Sequence, residues 1–339
     1  MGRTCAILGM ALMVGAGAGE AAGQTGAGWE PPEYTDTTAL VERALSVGSA
    51  PFELPATLTL PGAADGAVPV VVLVHGSGPN DRDGTVGVKK PLKDLAWGLA
   101  SQGVAVLRYE KRTRVHAAQM DFASVTVEEE TIADALAALQ LVRAQPEIDA
   151  GRVYLLGHSL GGMVAPEIAI RDGGLAGVIM MAAGGRPLAE SMIAQLDYVS
   201  QMPENRIPQA AAQIEQMRAM AQRVASREAA PDEMGLGAPA SYFYDLDERT
   251  APAHARNIPA PLLILQGERD YQVTMEDFGI WQETLADRDD VVFRSYPGLD
   301  HLFVFGEATS TPRETMLAPG HVAVQVIMDV AEFVRASKD

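Results

Sequence analysis

Apolar positions are spaced in two different ways along the chain. Near the start, two β-rich runs at 39–47 and 52–60 flank a Gly48-Ser49 turn, a spacing that predicts an antiparallel hairpin. From Val68 onward, short runs of consecutive apolar residues take over, at 70–74, 104–109, 153–156, 178–181, 262–266 and 291–295. Segments with helical spacing lie between them, at 92–101, 126–144, 161–171, 275–285 and 322–335. Strands that are apolar throughout and alternate with helices predict a parallel sheet covered on both faces. Thr126-Val-Glu-Glu129, at the head of the longest helical segment, has the form of a capping box.

The alternation breaks once. Between Gly184 and His254 no good strand pattern is present, and Ala, Gln, Met, Glu and Arg recur at helical spacing through 191–228. This stretch reads as a helical insertion forming a cap, because pockets of open sheets lie at the carboxyl ends of strands, where such insertions emerge. The expected organisation is a leader at 1–23, a first core segment at 36–183, the cap at 184–255 and a second core segment at 256–339.

Composition narrows the function classes. The 339 residues, 47% hydrophobic and 21% charged, suit one large α/β domain with an insertion and exclude a mainly disordered chain. With 26 basic and 44 acidic side chains, the net charge of −18 repels phosphate backbones and anionic lipid, so nucleic acid and polybasic membrane docking are not expected. Arg3, an apolar run at 6–14 and small residues up to Ala21 and Gly23 read as an export leader cut before Gln24. That run is too short to span a bilayer, so no stable membrane insertion is expected after leader removal. The expected location is periplasmic or extracellular. Cys5, the single cysteine, falls inside the leader. The mature chain is therefore expected to have no disulfide, no thiolate nucleophile and no Cys-ligated zinc.

The most informative window is Val153-Tyr-Leu-Leu-Gly157-His-Ser159-Leu-Gly161-Gly162: a buried strand, a G-x-S-x-G pentapeptide and an immediate helix. A nucleophile on a strained strand-to-helix turn needs glycines beside it, and the helix start favours developing negative charge. A serine hydroxyl also needs a base, and the base needs an orienting acid. Asp270 follows the run at 262–266 and His301 follows the run at 291–295, each in a loop at a strand's carboxyl end. Glu268 and His321 are the rivals. Glu268 comes too early in its loop, and His321 is read as the start of the last helix after Pro319-Gly320. Asp300 is read as supporting the His301 loop rather than replacing Asp270. A tetrahedral oxyanion needs two N–H donors, for which Leu160 and Ser77 (with Gly78 the second choice) are the candidates. Asp81, Arg82 and Asp83 are read as a plain turn with a salt-bridged surface. Tyr242, Phe243, Tyr244, Phe303 and Phe305 suit either an apolar pocket or core packing.

Gly157-His-Ser-Leu-Gly161, His75-Gly-Ser-Gly-Pro-Asn-Asp-Arg-Asp83, Leu107-Arg-Tyr-Glu-Lys-Arg-Thr113 and Gln266-Gly-Glu-Arg-Asp-Tyr-Gln272 together resemble the α/β-hydrolase superfamily. The resemblance runs from about Leu40 to the C-terminus. It is closest to bacterial exported carboxylesterases of the EstD type, related to the bile-acid acyltransferase, acyl-CoA thioesterase and serine aminopeptidase-like branch. Glu110 stands where such relatives usually have Asp. The resemblance implies an α/β-hydrolase fold and hydrolysis of small carboxylic esters of short to medium acyl chain. It also implies a Ser159–His301–Asp270 triad with no metal or organic cofactor. Thioesterase action fits less well, since coenzyme A is a cytosolic polyanion. The related acyltransferases use cysteine where this chain has Ser159. A peptidase on the same fold is the alternative enzyme. A non-catalytic binding protein of this fold would lack a triad residue, and all three are present here in order.

Overall fold

Strands β1 (Leu40–Val47) and β2 (Leu54–Pro61) form the expected antiparallel hairpin, with Leu40 opposite Pro61 and Val47 opposite Leu54. The computed structural model describes residues 29–62 and 66–336, so the expected leader and Cys5 lie outside the described residues. The hairpin joins a sheet through β2, which pairs antiparallel with β4 (Ala105–Tyr109). Strands β3 (Val68–Val74), β4, β5 (Ile148–His158), β6 (Gly177–Met181), β9 (Leu262–Gly267) and β10 (Val291–Tyr296) are mutually parallel. The eight-stranded order is β1-β2-β4-β3-β5-β6-β9-β10.

Both faces are covered, which is why the central strands are apolar throughout. Val71 and Leu73 of β3 pack on one face with helices α1 (Pro91–Ser101) and α10 (Val324–Ala336). Val70, Val72 and Val74 pack on the other with α3 (Ala133–Arg143), α4 (Leu160–Asp172) and α8 (Met275–Thr284). The split follows the two-residue pleat of a strand. Each such side chain, removed from water, contributes about 1.5–3 kcal/mol before entropy is counted.

The interruption at 184–255 is largely helical. It holds α5 (Leu188–Ser200), α6 (Pro208–Ala225) and α7 (Ala240–Arg249). It also holds a small ribbon, β7 (Met234–Gly235) with β8 (Ala238–Pro239), turning through Leu236 and Gly237 at positive φ, which the helical pattern did not announce. Two further short helices were not expected, α2 (Arg112–Val115) after β4 and α9 (Pro312–Leu317) between β10 and α10. The capping box at Thr126 is only half formed. The Thr126 N–H donates to Glu129 at 3.0 Å, but its hydroxyl donates to the same carboxylate instead of accepting a backbone N–H. The segment then opens with a wide π turn at Glu128–Ile132, which carries Glu130 into the interior. Among the described residues, no helix is long and apolar enough to cross a membrane.

Candidate active site

Ser159 sits at the junction of β5 and α4 with φ 56° and ψ −121°, a strained conformation for a residue with a side chain. Its N–H is held by the Met181 carbonyl at 2.9 Å, and its own carbonyl accepts from Gly162 and Met163. The flanking glycines are required by contact. A β-carbon on Gly157 would lie 2.1 Å from the Gly161 carbonyl oxygen, and one on Gly161 would lie 2.4 Å from that of Val74. The tight turn therefore exists because the neighbouring backbone occupies the space a side chain would need.

Asp270 and His301 come together from loops after β9 and β10. His301 Nδ1 lies 2.6 Å from Asp270 Oδ2, with the Asp270 side chain fully buried. Asp270 is fixed in turn by the N–H groups of Gln272 at 2.7 Å and Val273 at 3.1 Å, both donating to Oδ1. Burial pulls the His301 pKa down, but the Asp270 carboxylate outweighs it and holds the imidazole above its ordinary value. Asp300 turns its carboxylate back onto the N–H groups of Leu302 and Val304, bracing the His301 loop. Glu268 instead accepts from the Ser295 hydroxyl at an exposed edge. His321 points at Asp94, 3.2 Å away, beside Trp29, whose indole N–H donates to the same carboxylate. It precedes the first residue of α10 by three positions.

His158, inside the pentapeptide, has a role that the sequence did not announce. Its Nε2 lies 2.8 Å from the His301 carbonyl oxygen, so a neutral His158 protonated at Nε2 donates to the backbone of the candidate base. Burial, with the nearby His301, pushes its pKa down to about 3, so it stays neutral.

The loop after β3 brings Gly76 against the elbow: a β-carbon there would lie 3.1 Å from Ser159 Cβ. The Asn80 side-chain amide donates to the carbonyls of Gly76, Ser77 and Gly78 at 3.1, 2.9 and 3.2 Å. Ser77 and Leu160 both line the cavity that contains Ser159 and His301. As the first residue of α4, Leu160 has an N–H with no acceptor within its own helix.

The residues after this loop are more than a salt-bridged surface turn. Asp83 pairs with Arg108, which is 2% exposed and also holds Glu42 of β1. Arg82 reaches Glu110 at 2.7 Å and the Thr57 hydroxyl at 2.8 Å. Arg82 with Thr57, and Asp83 through Arg108 with Glu42, thus fasten the loop to the hairpin edge of the sheet. Alternating charges around buried strand positions are a signal of this kind, since a buried Arg needs its partners nearby.

The cavity measures about 350 Å³. Leu188, Ser191, Met192 and Gln195 of α5 contribute one wall, so the insertion does meet the site. Pro312, Thr315 and Met316 of α9 and Thr85, Val86 and Gly87 contribute walls that the sequence did not suggest. None of the five aromatic candidates lines it. Tyr242, Phe243 and Phe303 are core residues, Tyr244 bonds the Ala229 carbonyl, and Phe305 is exposed.

A strained serine elbow, a buried His–Asp pair and a strand order of this kind define a hydrolase-type α/β site. The chain belongs to the α/β-hydrolase family, whose model matches residues 71–315. It is 42% identical over 305 residues to the esterase EstD of Thermotoga maritima, a match covering 90% of this chain and 70% of that protein. Solved structures of similar fold include Est1E from Butyrivibrio proteoclasticus, at 16% identity and a TM-score of 0.55 over 87% of this chain and 98% of that one. The acylaminoacyl peptidase of Pyrococcus horikoshii matches with a TM-score of 0.56 at 16% identity, over 88% of this chain and 42% of that chain. At such identities these two likenesses concern the fold alone.

Proposed function

We propose that this protein is a serine carboxylesterase that cleaves small esters through an acyl-enzyme. The observation that carries the reading is the 2.6 Å bond from buried Asp270 to His301, which lines one cavity with Ser159 at its strained elbow. The 42% identity to a protein named as an esterase supports it. Ser159 Oγ attacks the ester carbonyl carbon as His301 Nε2 takes its proton, and Asp270 stabilises the imidazolium that forms. The Ser77 and Leu160 N–H groups hold the oxyanion. Collapse expels the alcohol with the proton from His301, and water repeats the sequence in reverse to free the acid.

Leu92, Met163, Leu188, Met192 and Leu302 give the cavity apolar walls, which together with its volume favours short to medium acyl chains. The net charge of −18 opposes a polyanionic thioester such as acyl-CoA. We further propose export, on the strength of the leader pattern at 1–23. N-terminal sequencing of protein from the periplasm or medium should begin at Gln24.

A p-nitrophenyl ester chain-length series, run beside aminoacyl nitroanilides and acyl-CoA, tests the activity. Turnover should be confined to the esters. Faster turnover of the anilides would make the protein a peptidase.

A further inference from the structure

Lys111 is a buried ammonium that the reaction above does not use. It is 2% exposed and follows β4, outside the lining of the cavity. Its Nζ donates to the Gly76 carbonyl at 2.8 Å and to Glu130 Oε1 at 2.6 Å. The other Glu130 oxygen accepts from the hydroxyl of Tyr242 on α7 of the insertion. With Glu130 and Tyr242 each 2% exposed, the whole chain of contacts is enclosed.

The position of the acceptor is what matters. The carbonyl of Gly76 and the N–H of Ser77 belong to one peptide unit, which is trans. In a trans peptide these two groups point in opposite directions. A carbonyl turned to Lys111 therefore turns the Ser77 N–H away from Lys111, and Ser77 lines the cavity that contains Ser159. Asn80 Nδ2 donates to the same Gly76 oxygen, so two donors hold the plane of this peptide. One of them carries a full positive charge in a dry environment. A cationic donor on the carbonyl draws electron density from the amide nitrogen and strengthens its N–H as a donor, the cooperative effect known for hydrogen-bonded chains. The charge of Lys111 also bears on His75, which burial, reinforced by Lys111, pushes down to about 3.

We propose that Lys111 is a positioning residue for the oxyanion site, orienting and polarising the Gly76–Ser77 peptide, with Glu130 and Tyr242 holding the ammonium in place from the insertion side. The inference rests on the esterase reading above. It makes Lys111 a determinant of transition-state stabilisation rather than of substrate binding.

The test compares wild type, Lys111→Met and the charge-neutral pair Lys111→Met/Glu130→Gln. The single variant leaves a buried carboxylate without its cation and is expected to lose thermal stability; the double variant restores neutrality and should recover much of the Tm. If Lys111 acts on the peptide, kcat for a p-nitrophenyl ester stays down by about 10- to 100-fold in the double variant, less than the roughly 10²–10³ reported for deleting an oxyanion donor outright. KM should stay within about threefold of wild type, as for an interaction made mainly in the transition state. The Ki of a trifluoromethyl ketone, which Ser159 would convert to a tetrahedral adduct, should rise in step with the fall in kcat/KM. A double variant of recovered Tm with wild-type kcat and Ki overturns the inference and leaves the esterase reading standing. Absence of ester turnover in the wild type overturns both.

Discussion

His158 and His301 are joined through a backbone atom: His158 Nε2 lies 2.8 Å from the His301 carbonyl oxygen, and the two rings stand 4.8 Å apart. The residue before the proposed nucleophile thus holds the His301 loop in place, tying the elbow to the proposed base. His158→Ala should lower kcat for a p-nitrophenyl ester by about 10- to 100-fold, the scale of a small misplacement of catalytic groups. His158→Gln, whose Nε2 can donate to the same carbonyl, should recover part of the loss. Equal activity of the alanine variant and the wild type would show that the bond does not position His301.

Direct substitutions separate the paired candidates. Ser159→Ala should abolish turnover and fluorophosphonate labelling while leaving the fold intact. His301→Ala and Asp270→Asn should each reduce kcat by about 10⁴-fold or more. Glu268→Gln should be mild. His321→Ala should keep near-normal turnover and cost under about 1 kcal/mol, because it removes one partly exposed contact to Asp94. A dead His321 variant beside an active His301 variant would reassign the base.

The pH dependence has two separate signs. In the proposed reaction His301 must be neutral to accept the serine proton, so kcat/KM should fall as pH drops through a value above the ordinary imidazole figure of 6.5. For stability, a raised His301 pKa contributes below the unfolded value and loses that contribution as pH rises through the folded one. His75 and His158 behave oppositely. With folded values of about 3, their contributions are present above 6.5 and fade as pH falls toward 3. His158→Gln, which cannot take up that proton, should therefore lose less Tm than wild type between pH 6.5 and 4. Identical Tm profiles would refute the buried neutral state.

Gly87 tests how the cavity is walled. It has φ +59°, and a β-carbon there would lie 1.8 Å from the Met316 carbonyl oxygen. Gly87→Ala should push α9 away from the loop at 84–87 and raise KM for esters more than it lowers kcat. Steady-state kinetics on a chain-length series reads the split; an unchanged KM would mean that α9 does not shape binding.

The strands, the elbow, and the loops bearing Asp270 and His301 were legible because each rests on local pattern: apolar runs, obligatory glycines, a polar residue just past a strand. The choices between His301 and His321, and between Asp270 and Glu268, followed from position relative to strand ends. Other features depend on contacts distant in sequence. The bond from His158 to His301 spans 143 positions and that from Tyr242 to Glu130 spans 112. Asp83 looks like a surface residue in the sequence because its partner Arg108 lies in a strand 25 residues later, and no local pattern reports that pairing. The capping motif at Thr126 is likewise local, whereas the π turn that follows it carries Glu130 to Lys111, a contact that short-range propensity does not register.

A further wall of the cavity comes from α9, more than 100 residues beyond α5 in the chain, held by contacts of its own as well as by the Tyr198 hydroxyl of α5, which donates to the Ser310 carbonyl. Lys89 donates to the Glu314 and Ala318 carbonyls, and Arg269 pairs with Glu314. Substrate preference is therefore not carried by one exchangeable module. A chimera that received only the 184–255 segment of a relative would acquire a foreign α5 wall while keeping its own α9 wall, so transplanting selectivity should need 302–320 moved with it.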